Sequence, residues 1–160
     1  MQTKTLQINY KVYKELSELS AEDQELVKSA IDATRNSYAN YSHFNVGAAL
    51  RLGNGKIMIG ANQENAAFPS GLCAERTAIF AAQANCPEQP ITAIAIAAKN
   101  SNGLLEEPIT PCGACRQVML EIEDRYKQPM RVLLYGTKEV FEISCVKDTM
   151  PFSFVDANMH

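Results

Sequence analysis

Long apolar runs and clusters of basic residues are both missing from this 160-residue sequence. No apolar stretch approaches the roughly 20 residues that a membrane-spanning helix requires, and the N-terminal segment lacks the apolar core of a secretory signal. Fifteen Lys and Arg residues against eighteen Asp and Glu residues give a net charge of -3. Because nucleic-acid binding depends on clustered Lys and Arg, we expect a cytoplasmic protein whose partners include neither a membrane nor a nucleic acid.

Repeats, low-complexity segments and linkers are also missing, so nothing divides the chain. With 46% hydrophobic and 21% charged residues, the sequence can bury enough apolar surface to offset its conformational entropy. Its length lies within the range of about 100–200 residues that one core organises. We therefore expect a single domain over residues 1–160, with variable segments at about residues 1–15 and 155–160.

The first half of the chain carries signals for one helix and one hairpin. Apolar residues recur at helical spacing over residues 20–36, and Ser20-x-x-Asp23 has the pattern of a capping box. Two strand-like runs at residues 44–52 and 56–61 are separated by an Asn54-Gly55 step, which favours a tight turn. These runs are predicted to pair antiparallel.

The second half alternates helices with buried strands. Helices are predicted over residues 73–84 and 112–123, and strands over residues 91–98, 130–135 and 140–143. Such alternation is typical of a layered α/β protein. We predict an αβα domain with a mixed central sheet of about five strands.

Three of the five cysteines lie at predicted helix starts. Cys73 begins one helix, and Cys112 and Cys115 form a C-x-x-C at the start of the next. Three thiolates provide three of the four ligands of tetrahedral zinc, and helix N-termini favour the thiolate form. In a reducing compartment such cysteines indicate metal binding rather than disulfides. We therefore predict a Zn²⁺ site with water in the fourth position.

Two charged residues follow the first of these cysteines. Glu75 lies on the same helical turn as Cys73, which makes it the candidate proton carrier. Three thiolates around Zn²⁺ leave a formal charge near minus one, which weakens the ion as a Lewis acid. Arg76 is predicted to hydrogen-bond the cysteine sulfurs and to restore part of that acidity.

The alternative is a closed structural zinc site in which His43, Cys86 or Cys145 supplies the fourth ligand. Structural sites usually contain paired cysteine motifs, whereas here the first cysteine stands alone beside a carboxylate. We therefore favour the open site. We interpret Cys86 and Cys145 as ordinary thiols and His43 as a structural histidine.

Four sequence blocks resemble the cytidine deaminase family, specifically its short, one-domain, homotetrameric branch with three cysteine ligands. They are YANYSHFNVGAAL at residues 38–50, NQENA at 62–66, GLCAERTA at 71–78 and PCGACRQ at 111–117. The resemblance implies deamination of cytidine and deoxycytidine to uridine and deoxyuridine in pyrimidine salvage. In the zinc deaminase class, a glutamate that is not a metal ligand moves the protons, which is the role implied for Glu75.

The resemblance also implies roles in substrate binding. Asn62 and Glu64 would bind the ribose, chiefly its 3′-hydroxyl, since side chains two residues apart at a strand end project to one side. Phe44 would pack against the pyrimidine, and the main chain at Ala74 would contact the base edge. In a homotetramer, Phe154 would cover the pyrimidine in a neighbouring chain's site. The alternatives are a solvated loop at Asn62 and Glu64 and a Phe154 that closes its own core.

Three positions depart from the family pattern: Asn40 replaces a common Pro, Phe68 replaces a common Tyr, and the Gly-Pro expected after Phe154 is absent. Two other functions also stay open. A deaminase of a cytosine-containing antibiotic such as blasticidin S would use the same cysteines and glutamate, although the Asn62-x-Glu64 pair favours an ordinary ribose. A non-catalytic, zinc-stabilised binding module is the second alternative.

Overall fold

The computed structural model describes residues 1–160, and its central element is a seven-stranded mixed sheet. The strands are β1 (Tyr10–Tyr13), β2 (Asn45–Leu52), β3 (Ile57–Ala61), β4 (Ile91–Asn100), β5 (Gly103–Leu104), β6 (Arg131–Tyr135) and β7 (Val140–Ile143). Their order is β1-β7-β6-β4-β2-β3, with the short β5 paired to β4. Only β4 and β6 run parallel. The predicted antiparallel hairpin is confirmed as β2 and β3.

Three α-helices cover the two faces of the sheet: α1 (Ala21–Ala33), α2 (Ala74–Asn85) and α3 (Gly113–Tyr126). Alternate residues of β4 face opposite layers, as the period of a strand requires. Ile94 and Ile96 pack in the core that includes residues of α2 and α3, whereas Ala93 and Ala95 pack in the core that includes residues of α1. The predicted αβα layering is therefore confirmed.

The prediction of about five strands was wrong, because the sheet contains seven. Strand β1 forms within the segment that we expected to be variable, and it pairs antiparallel with β7. The hydroxyl of Tyr13 donates to the buried carboxylate of Glu142 at 2.5 Å, and Lys11 contacts the same carboxylate. Strand β5 is a two-residue pairing that closes a turn after β4. Such long-range or minimal pairings leave no periodic pattern in the sequence.

The start of α1 differs in detail from the predicted capping box. Ser20 Oγ accepts from the backbone N–H of Asp23, as the motif requires. The Asp23 carboxylate, however, accepts hydrogen bonds from Arg51 and Arg131, whose strands lie beneath the helix. This side chain therefore links α1 to the sheet.

A glycine in β3 determines how closely α2 approaches the sheet. A Cβ at Gly60 would lie 2.6 Å from the Ala74 carbonyl oxygen and 2.5 Å from the Ala78 nitrogen. These distances are too short for any side chain, so the first turns of α2 rest directly on the strand. None of the three helices has both the length and the apolar character needed to cross a bilayer.

Candidate active site

The three predicted ligands meet where α2 and α3 begin. Cys73 and Cys112 are the N-cap residues of α2 and α3, and Cys115 lies in the first turn of α3. Their sulfurs lie within 4.8 Å of one another, and Cys73 Sγ is 3.9 Å from Cys112 Sγ. Zn–S bonds of about 2.3 Å at tetrahedral angles would place sulfurs about 3.8 Å apart. The cluster therefore fits a zinc ion.

No fourth protein ligand joins these cysteines. The cluster of potential ligands contains only the three thiols, and His43, Cys86 and Cys145 lie outside it. His43 is an exposed residue with a φ of 54°, rather than the structural histidine that we expected. Neither N-cap sulfur makes a capping hydrogen bond with a backbone N–H of its own helix, so capping does not compete with metal binding at either sulfur. Three ligands and one open position are the arrangement typical of catalytic zinc.

The surroundings of the cysteines favour a thiolate at Cys73. The pKa of Cys73 is lowered to about 5, first by hydrogen bonding with the Cys115 thiol and then by a hydrogen bond from Arg76. Burial acts in the opposite direction but is outweighed. The same hydrogen bonding with Cys73, and then burial, raise the pKa of the Cys115 thiol. The Arg76 guanidinium donates to Cys73 Sγ at 3.6 Å, as predicted for this residue. Its Nε is buried without a hydrogen-bond partner, so one further donor remains beside the sulfurs.

Glu75 occupies the first turn of α2, next to the cluster, and is only 4% exposed. Burial raises the pKa of its carboxyl group, and the negative charge of the Cys73 thiolate adds to this effect. A carboxyl group in such surroundings holds a proton more readily than a solvated one does. Its chemistry therefore suits both acceptance and donation of protons.

A cavity of about 550 Å³ extends from the cysteine cluster to the end of β3. Its lining includes Cys73 and Arg76 on one side, Asn62 and Glu64 on another, and the aromatic residues Tyr41 and Phe68. The two residues predicted to bind a ribose therefore share one cavity with a predicted metal ligand. This volume suits a ligand of small-molecule size.

The segment that carries Asn62 and Glu64 is held between two other segments by backbone hydrogen bonds. Gln63 exchanges two backbone hydrogen bonds with Leu72, and Tyr38 bonds to the main chain of both Asn62 and Glu64. Asn62 and Glu64 both line the cavity. The alternative of a freely solvated loop is therefore disfavoured.

The amide of Asn62 makes three hydrogen bonds within the protein. Its Oδ1 accepts from Ser37 Oγ at 2.5 Å and from the Val46 backbone N–H at 2.8 Å. Its Nδ2 donates to the Phe44 carbonyl at 2.9 Å. These partners fix the orientation of the amide in the cavity wall.

The carboxylate of Glu64 is also held from one side. Its Oε2 accepts from the backbone N–H groups of Tyr41 at 2.7 Å and Ser42 at 3.3 Å, and its Oε1 accepts from the Ser42 hydroxyl. These hydrogen bonds, led by that from the Ser42 side chain, keep the pKa of Glu64 below its ordinary value. Sequence reasoning missed Ser37 and Ser42. Ser42 lies within the first family-like block, but nothing local to either serine points to a partner more than 20 residues away.

Comparison with known proteins agrees with this geometry. The sequence model of the cytidine and deoxycytidylate deaminase zinc-binding region matches residues 20–128. The chain belongs to this family. The predicted resemblance is confirmed, and so is zinc as the cofactor, with Cys73, Cys112 and Cys115 as the cluster that can hold it.

Individual deaminases of the family match much of the chain. The cytidine deaminase of Halalkalibacterium halodurans is 46% identical over 99 residues, which are 62% of this chain and 70% of that protein. The cytidine deaminase of Sporosarcina psychrophila is 37% identical over 131 residues, which are 82% of this chain and 90% of that protein.

Solved structures of the family share the fold. The crystal structure of cytidine deaminase from Burkholderia pseudomallei is 39% identical, has a TM-score of 0.70, and is matched over 81% of this chain and 97% of that chain. The corresponding structure from Mycobacterium tuberculosis is 26% identical, with a TM-score of 0.66 and coverage of 85% and 99%. The predicted fold class is thereby confirmed.

The cavity lining does not include Glu75, Cys112 or Cys115, and the remaining residues implied by the family resemblance also lie outside it. Phe44 is partly buried, and its backbone bonds to Ser42 and Asn62. Ala74 is fully buried in the first turn of α2. The side chain of Phe154 is exposed, at 59%, while its carbonyl accepts from Gln117 of α3 at 3.0 Å. In the single chain this ring therefore does not close its own core.

Phe68, which replaces the tyrosine common in the family, lies at the cavity mouth. Its ring packs edge-on against Tyr41, with centroids 5.8 Å apart. It has no hydroxyl group to donate, so the replacement leaves an apolar contact there. Asn40 is exposed in the preceding turn, and nothing in the structure explains why it replaces Pro.

Proposed function

We propose that this protein is a zinc-dependent hydrolytic deaminase that converts cytidine and deoxycytidine to uridine and deoxyuridine with release of ammonia. The observation that carries the proposal is the position of Glu75, buried beside an open three-cysteine cluster. Membership of the deaminase family supports the same assignment. We further propose that it acts in the cytoplasm, in pyrimidine salvage.

Cys73, Cys112 and Cys115 would hold the metal through their sulfurs. When bound, zinc supplies a Lewis acid that makes a water molecule more acidic. Arg76, already in contact with Cys73 Sγ, would offset part of the thiolate charge. This arrangement leaves the fourth position free for the reaction.

Glu75 would act as both base and acid in one cycle. Its carboxylate takes a proton from the attacking water as the water oxygen bonds to C4 of the cytosine ring. Glu75 delivers this proton to N3, then takes the second proton from the new hydroxyl group on C4 and passes it to the exocyclic amine. The C4–N bond breaks as the C4 carbonyl forms, and ammonia leaves. Proton transfers by a positioned carboxylate are typically worth about 10²–10⁴ in rate. Burial of Glu75 favours this role, because it keeps competing water away from the carboxylate.

Asn62 and Glu64 would bind the 3′-hydroxyl of the ribose. A hydroxyl group accepts one hydrogen bond and donates another, which matches an amide N–H beside a carboxylate oxygen. A contact at the 3′ position does not distinguish ribose from 2′-deoxyribose. We therefore propose that both cytidine and deoxycytidine are substrates.

The base would be bound by groups from two chains of a homotetramer. Phe44 would pack against the pyrimidine, and the main chain at Ala74 would contact the base edge. Phe154 would cover the base in a neighbouring chain. The exposed ring of Phe154 and its tether to Gln117 support this proposal, since the side chain is held at the surface without a place in its own core.

Ammonia release from cytidine by the purified, zinc-loaded protein tests the function directly. The same protein treated with a chelator, then restored with zinc, provides the control. We expect turnover to disappear on treatment with the chelator and to return when zinc is restored. Deamination of blasticidin S but not of cytidine would indicate the antibiotic-specific alternative. Zinc binding without turnover of either compound would indicate a non-catalytic module.

A further inference from the structure

We propose that Ser42 and Ser37 are positioning residues that determine which hydrogen-bonding groups Glu64 and Asn62 present to the substrate. The inference rests on the proposed function and concerns the same cavity. It follows from counting the donors and acceptors that the protein itself already occupies.

Glu64 retains room for a single donor. A carboxylate offers about four acceptor positions on its two oxygens. Two N–H groups, from Tyr41 and Ser42, occupy Oε2, and the Ser42 hydroxyl occupies one position on Oε1. One position on Oε1 therefore remains for a hydroxyl of the ligand.

Asn62 retains only a donor. Its Oδ1 already accepts from Ser37 and Val46, which fills both acceptor positions of an amide oxygen. One of its two N–H groups donates to Phe44, and the other is left. The pair therefore offers one donor and one acceptor, which is the complement of a single hydroxyl group.

Each serine acts through the residue that it holds. The hydroxyl hydrogen of Ser42 is used by Glu64, while its oxygen accepts from the Phe44 N–H at 3.1 Å. Ser42 therefore has no hydrogen left for a ligand, although it lies in the cavity wall. Its loss would free a second acceptor position on Oε1 and allow the carboxylate to turn. Loss of Ser37 would free an acceptor position on Asn62, although Val46 would still hold the amide.

The test compares kcat/KM for cytidine and for 3′-deoxycytidine, since only cytidine carries the hydroxyl that the pair would bind. We expect the parent to prefer cytidine, and Ser42→Ala to lower kcat/KM for cytidine about tenfold, mainly through KM. The value for 3′-deoxycytidine should change by less than about threefold. Ser37→Ala should produce a smaller loss of about threefold, and Ser42→Thr, which keeps a hydroxyl, should restore the preference.

Ser70→Ala is the matched control, because this exposed serine makes no side-chain hydrogen bond and lies outside the cavity lining. Ser70→Ala should keep the parental ratio of kcat/KM for cytidine to kcat/KM for 3′-deoxycytidine. The ratio between two substrates does not depend on the active fraction, so partial misfolding of a variant does not affect it. A parental ratio in Ser42→Ala, with normal cytidine turnover by the parent, would overturn the inference alone. A parent that does not deaminate cytidine would overturn the proposed function and the inference together.

Discussion

Cys73 Sγ lies 3.9 Å from Cys112 Sγ, although the two residues are 39 positions apart in the chain. The contact exists because α2 and α3 begin at the same place, each with a cysteine as its N-cap. At this separation a tetrahedral zinc ion can bond to both sulfurs. Metal binding and the relative placement of two helices are therefore linked.

Replacement of Cys112 should remove zinc and lower stability together. A three-ligand site that loses one thiolate binds metal weakly, and metal binding energy contributes to folding. Elemental analysis of Cys112→Ala should find well under one zinc per chain, and its thermal midpoint should fall. Cys145→Ala, which changes a partly buried thiol outside the cluster, should keep its zinc. Full zinc occupancy in Cys112→Ala would rule out Cys112 as a ligand.

Glu75→Gln should keep zinc and fold but lose catalysis. The amide matches the size of the carboxylate but cannot take up and release protons. We expect kcat to fall about 10²–10⁴-fold, the typical effect of general acid–base catalysis. The loss can be larger because one residue serves two proton transfers. Steady-state kinetics of the metal-replete variant provide the measurement, with the exposed Glu121→Gln as control. A near-parental kcat in Glu75→Gln would reject Glu75 as the proton carrier.

Mixed oligomers can show whether Phe154 acts in a neighbouring site. Neither Phe154→Ala nor Glu75→Ala should be fully active alone. After subunit exchange, a Phe154→Ala chain keeps its own Glu75 and can receive an intact Phe154 from its partner, so activity should exceed the sum of the separate variants. Native mass spectrometry should confirm the exchange. Additive activity in fully exchanged oligomers would show that Phe154 does not complete a neighbour's site.

The ion pairs under α1 should make the protein sensitive to acid. Burial opposes ionisation of Asp23, but hydrogen bonds from Arg131 at 2.7 Å and Arg51 at 3.0 Å outweigh it, so its pKa lies below the ordinary value. The folded chain thus stabilises the carboxylate more than the unfolded chain does. This contribution is complete above the unfolded-state pKa and is lost as pH falls through the folded-state pKa.

Asp23→Asn should therefore reduce the free energy of unfolding at pH 7 by about 1–3 kcal/mol. The difference in free energy of unfolding between this variant and the parent should shrink towards pH 3. Urea denaturation across this pH range provides the measurement. Asp32→Asn serves as control, because the pair of Asp32 with Arg35 is exposed and such pairs contribute little. A difference that stays constant with pH would exclude the Asp23 charge as its cause.

Local chemistry in the sequence determined much of this protein. The Asn-Gly turn predicted the β2–β3 hairpin, and two cysteine motifs at helix starts predicted the metal cluster. These features depend on residues a few positions apart, where turn geometry and helical periodicity act directly. Even so, α3 runs to Tyr126, three residues beyond its predicted end, and ends at Lys127 in a left-handed conformation without the usual glycine.

Only the tertiary structure decided the features that depend on distant partners. Strand β1 pairs with β7, and Tyr13 reaches Glu142 across 129 positions. This pairing has no local signature in the sequence. The roles of Ser37 and Ser42 likewise depend on partners 25 and 22 positions away. Sequence patterns indicate which residue types are available, but hydrogen-bond saturation is a property of three-dimensional neighbours. Which donor and acceptor remain for a substrate is therefore set by how the folded chain brings these segments together.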